Sequence, residues 1–109
     1  MAIMKCIKLL LIVFVIGFST NINASTVKGV ASCGNWNRFK GMPVRHEYEA
    51  WLAGYISGVS VGTNTDFLVG ADVISFALWM DEYCKKHSSE YISEGANALI
   101  KKLIEKMYE

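Results

Sequence analysis

Apolar residues recur at spacings of three and four in three separate stretches of this chain, the period that puts side chains on one face of a helix. From Val44 to Val61 the repeating set is Tyr48, Trp51, Leu52, Tyr55, Ile56 and Val59, and Gly62 is the expected stop. Alternation over Tyr55 to Val61 leaves a short strand as the competing reading there. Residues 70–87 predict a second helix whose shared face is Val73, Phe76, Ala77, Met80, Tyr83 and Cys84, with Ile74 and Leu78 on another side. Ser88 and Ser89 are candidate caps for a third helix running to about Met107, striped by Ile92, Ala96, Leu99, Ile100, Leu103 and Met107. The expected fold is all-α, a small bundle of three to four helices.

Between these stretches the pattern breaks. Gly29, Gly34, Gly41 and Pro43 punctuate residues 25–44, where a short helix around residues 33–39 would let Trp36 and Phe39 dock onto the longer helices. Residues 63–69 form a link that carries two bulky apolar side chains, Phe67 and Leu68, beside Asp66. Ala50, Gly54 and Gly58 make a smooth row along the first long helix, at about 1 kcal/mol of helix propensity per glycine, and predict the close approach of another helix within the bundle or across a dimer.

The first 24 residues read as a secretory signal. Lys5 and Lys8 supply a positive start, Leu9 to Phe18 an apolar run too short for an ordinary membrane span, and Ser19 to Ala24 a small, polar exit. Cleavage after Ala24 leaves about 85 residues, enough for one domain, 25–109. No later apolar stretch is long enough to span a bilayer, so no membrane association is expected after cleavage. Val30-Ala31-Ser32-Cys33 has the look of a lipobox, but it lies about a dozen residues beyond the apolar core, and acylation would leave Cys84 without a partner.

Cys6 leaves with the signal, so Cys33 and Cys84 are the two mature cysteines, and export to an oxidising compartment pairs them. Closing so long a loop stabilises by about 4 kcal/mol on the chain-entropy model. Removing Lys5 and Lys8 from the eleven basic residues leaves nine against ten acidic ones, a formal charge of −1. No basic patch supports nucleic-acid binding.

Enzyme signatures are nearly absent. His46-Glu47-Tyr48-Glu49-Ala50 starts like a zinc-protease helix, but Ala50 stands where the second histidine should be. Glu47 and Glu49 diverge on a helix, His46 and His87 read as surface residues, and with both thiols in a bridge no nucleophilic set remains. No catalytic residue, metal or cofactor is expected. Trp51, Tyr55, Trp79 and Tyr83 are large and carry polar tips, which suits either the core or a protein-binding surface.

Three blocks stand out in order: Cys33-Gly34-x-Trp36, Trp51-Leu52-x-Gly54-Tyr55-Ile56-Ser57-Gly58, and Trp79-Met80-Asp81-x-Tyr83-Cys84, followed by an amphipathic C-terminal helix. The series resembles the Rap/Tai family of type VI secretion immunity proteins and covers nearly the whole mature chain. One departure is Lys85-Lys86-His87-Ser88, where a proline would be expected after the second cysteine. The resemblance implies a periplasmic, non-enzymatic, helical protein, often a homodimer, that binds and neutralises a peptidoglycan-cleaving amidase effector. Asp66, Phe67 and Leu68 are the candidate partner-binding residues, because the link they occupy joins two helices and should project from the bundle. The alternative is that Phe67 and Leu68 anchor the link to the core. The general skeleton also resembles the periplasmic acid-stress chaperones of the HdeA type, though the aromatic and glycine blocks fit that family less well.

Overall fold

Residues 26–109, which the computed structural model describes, form four helices and no strand: α1 (Cys33–Arg38), α2 (Val44–Thr63), α3 (Val73–Lys86) and α4 (Ile92–Met107). The expected leader, residues 1–24, lies outside these residues. α1 packs on α3, α3 on α4, and α2 on both α3 and α4. The strand alternative for Tyr55–Val61 gives way to a helix that continues through it.

The helix ends depart from the sequence expectation for identifiable reasons. Gly62 does not stop α2. The helix runs on to Thr63 and ends where Asn64 turns left-handed (φ 50°), a conformation asparagine tolerates, with the N–H groups of Asn64 and Thr65 returning to the carbonyls of Val61 and Ser60. α3 starts three residues later than expected, because the Asp72 carboxylate accepts the Ser75 N–H at 2.8 Å and so caps the first turn. Gly70 (φ 77°) makes the turn that delivers the chain to that cap. Ser88 and Ser89 do not cap α4. They sit in the preceding turn, and the helix begins after Tyr91, whose N–H donates to the Glu94 carboxylate at 2.9 Å.

A tertiary contact holds Tyr91 extended. Ser32 and Tyr91 form an isolated antiparallel bridge, with the Cys33 N–H on the Glu90 carbonyl (2.8 Å) and the Ile92 N–H on the Ala31 carbonyl (3.0 Å). Beside it the Cys33–Cys84 disulfide joins α1 to the end of α3, with Cα atoms 4.9 Å apart. Asn37 adds a third tie by donating to the Cys84 carbonyl at 3.1 Å, satisfying one of the acceptors that a helix end leaves open.

The predicted stripes supply the core: Leu52 and Ile56 from α2, Phe76, Met80 and Cys84 from α3, Ile92, Ala96, Leu99 and Ile100 from α4, with Trp36 from α1. Burying an aliphatic or aromatic side chain of this size contributes about 1.5 to 3 kcal/mol. Two stripe members fall outside it. Val73 and Met107 lie at helix ends that overhang the packed layer and remain 49% and 47% exposed.

Candidate functional site

Beneath the first and third sequence blocks lies a buried polar cluster. The Trp36 indole Nε1 donates to the Asp81 carboxylate at 2.9 Å, and the Arg45 guanidinium both pairs with that carboxylate and donates to the Trp36 carbonyl at 2.9 Å. Arg45 is only 4% exposed, with its guanidinium carbon 3.7 Å from the Trp36 ring centroid. Arg45 Nε makes no hydrogen bond, and Glu49 stands 3.8 Å from it. Burial raises the Asp81 carboxyl, but the hydrogen bonds from Arg45 and Trp36 and the charges of Arg45 and Lys40 outweigh it and hold the group below its ordinary value. This arrangement cross-links three helices. Its role is to set α1 and α2 against α3.

Arg45 was not foreseen from the sequence. It sits one residue before the failed zinc-like run, and nothing local distinguishes it from a solvated arginine near a helix start. Its partner lies thirty-six positions away.

On the outer side of α3, Trp79, Tyr83 and His87 follow at one-turn intervals and stack in sequence, with centroids 5.2 Å and 4.2 Å apart and interplanar angles of 18° and 25°. The Tyr83 hydroxyl donates to Glu90. Burial, that hydrogen bond and the charges of Glu90 and Glu94 raise its pKa to about 12. This ladder borders two hollows along the α3–α4 seam that share Trp79. One, of about 410 Å³, is floored by Phe67, Phe76, Leu99 and Leu103. The other, of about 350 Å³, lies between Tyr83 and His87 on one side and Ala98 and Lys102 on the other.

The candidate recognition link splits by residue. Phe67 is 3% exposed and belongs to the core, so its side chain is an anchor in this fold and does not project toward a partner. Leu68 is half-buried against the same core, while Asp66 and Val69 are exposed at the mouth of the larger hollow. The physical reason is the brevity of the link: between the α2 end and the Asp72 cap, Phe67 can reach the gap that the packed helices leave.

Among the described residues the smooth row on α2 makes no close crossing. No neighbouring atom comes within 4 Å of a Cβ placed at Gly54 or Gly58. The close approach occurs at Gly95 instead, where an added Cβ would stand 2.5 Å from Met80 Sδ and 2.9 Å from Tyr83 Cδ1. Gly95 lets α4 settle onto α3. The sequence signal was present, a glycine one position before Ala96 of the α4 stripe, but a single glycine is less conspicuous than a row. Beside Gly54, Trp51 stacks on Tyr55 at 5.1 Å. The indole of Trp51 donates to the Lys28 carbonyl at 3.3 Å and the Tyr55 hydroxyl donates to Asn97 at 2.7 Å.

His46 and His87 lie at the surface, 3.5 Å from Glu49 and 3.7 Å from Glu90 respectively. Among the described residues no group of three or more His, Cys, Asp or Glu side chains converges on a common point. No described helix is long and apolar enough to cross a membrane. Compared with family models, curated proteins and solved structures, the chain matches none.

Proposed function

We propose that this chain is a periplasmic immunity protein that neutralises a peptidoglycan-cleaving amidase effector by stoichiometric occlusion, acting through its surface and without chemistry of its own. The observation that carries the reading is that the first and third of the three sequence blocks resembling the Rap/Tai family meet in the fold. Cys33 and Cys84 are bonded, Trp36 donates to Asp81, and Trp79 and Tyr83 of the same third block stack along an open seam. Two blocks that hold one another in place form a scaffold, and what such a scaffold presents is a stable exterior for a partner.

The test is capture and protection. The exported protein should form a stoichiometric complex with a cognate peptidoglycan amidase effector, and cells receiving that amidase in the periplasm should survive only when the protein is present. Absence of both complex and protection would reject the reading. Suppression of client aggregation at low pH, without amidase binding, would favour an acid-stress chaperone instead.

A further inference from the structure

The α3–α4 seam combines a stacked aromatic wall, an apolar hollow and a rim that carries three exposed lysines. Lys86, Lys102 and Lys106 border its two hollows, all three are exposed, and among the described residues none forms an ion pair. Glu82, also on the rim, is taken by Lys85 at 2.9 Å, and Asp66 is the one unpaired carboxylate, at the far mouth. α3, α4 and the turn between them carry as many acidic as basic residues, and the lysine excess is confined to the lining of the two hollows, where Lys86, Lys102 and Lys106 outnumber Asp66 and the paired Glu82. Exposed lysines spaced along an apolar cleft favour an anionic, partly apolar occupant and set its register. A 14-residue helix is about 21 Å long, room for six or seven extended residues.

We propose that the seam receives an acidic segment of the partner protein, its carboxylates meeting Lys86, Lys102 and Lys106 and one apolar side chain entering the hollow over Phe76. This placement rests on the immunity reading and names the surface through which it operates. Exposed ion pairs are individually weak, so reversing two lysines should weaken binding about tenfold or more, with a marked loss between low and high salt.

The probe is a terminally blocked heptapeptide alternating Asp or Glu with Leu or Phe, titrated into the oxidised, signal-free protein and followed by NMR at the Trp79 indole and the Ala98 amide. Its counterpart with lysine at each acidic position is the control. The expected result is shifts confined to the seam, weaker binding of the basic peptide, and about tenfold weaker binding to Lys102→Glu/Lys106→Glu at an unchanged melting temperature. No shift at millimolar acidic peptide, shifts on another face, or equal binding by the double variant would overturn the proposal. Amidase capture separates the two claims. If the double variant captures the amidase as well as the parent does, the seam is not the docking face and the immunity reading stands. If the parent captures none while the peptide binds the seam, the immunity reading falls and the seam remains a site for acidic segments.

Discussion

Asp81 and Arg45 form the contact most sensitive to a single substitution, because each removes the other's desolvation problem. Asp81→Ala would leave a buried guanidinium with only the more distant Glu49, 3.8 Å away, as counter-charge, and breaking a buried pair typically costs about 3 to 5 kcal/mol. Asp81→Asn keeps the shape and an acceptor for Trp36 but loses the charge. Since the Asp81 carboxyl is held below its ordinary value of 3.8, its contribution is fully present above that value and is lost as pH falls through the lowered one. The gap in unfolding free energy between the parent and Asp81→Asn should therefore be widest near neutral pH and close below about pH 4. Urea titrations at several pH values would measure it, and a gap independent of pH would show that the charge contributes nothing. Tyr83 has the opposite sign. Its pKa is raised by burial first and by the Glu90 contact second, so the stability tied to its protonated phenol persists until pH climbs above 10 and disappears on approach to about 12.

Helix packing turns on one glycine that the sequence pattern did not single out. Gly95→Ala would drive a methyl group into Met80 and Tyr83, and overpacking of this kind costs about 1 to 3 kcal/mol even though alanine is the better helix former. Gly54→Ala and Gly58→Ala meet open space among the described residues, so each should stabilise the monomer by up to about 1 kcal/mol. Thermal melts of the three variants give the ranking. A drop in stability at Gly54 or Gly58, accompanied by loss of a dimer in sedimentation, would place a second copy against that row. The three long helices were legible because their apolar period is a local property. The start of α2 at Val44 was legible too, but the other two starts were not: Asp72 outcompeted the earlier residues as a cap, and Tyr91 is held extended by Ser32, far upstream in the chain.

For the molecule as a whole, the disulfide and the Ser32–Tyr91 bridge act on the same seam, where the N-terminal segment crosses the turn between α3 and α4. The bonded cysteines are 51 positions apart and both fully buried. Replacing both by serine should cost about 2 to 5 kcal/mol, a range typical of small exported domains. Comparing denaturation midpoints for the oxidised parent, the reduced parent and the double variant would check this. Equal midpoints would mean that the backbone bridge and the Asn37 contact hold α1 without covalent help.

Sequence alone determined the helical class and the three long amphipathic stretches, because periodicity is written within a few turns, and it led to the pairing of Cys33 with Cys84 through the expectation that Cys6 belongs to a leader. It also displayed Trp36 and Asp81 in blocks that turned out to touch. Only the tertiary structure decided that Arg45 is the cation between them, that Phe67 turns inward while Asp66 faces out, that Gly95 and not the Gly54–Gly58 row takes the close helix approach, and that Trp79, Tyr83 and His87 border an open seam. Each of these depends on which surfaces meet across distant positions, and burial and desolvation at such contacts have no period for a sequence to reveal.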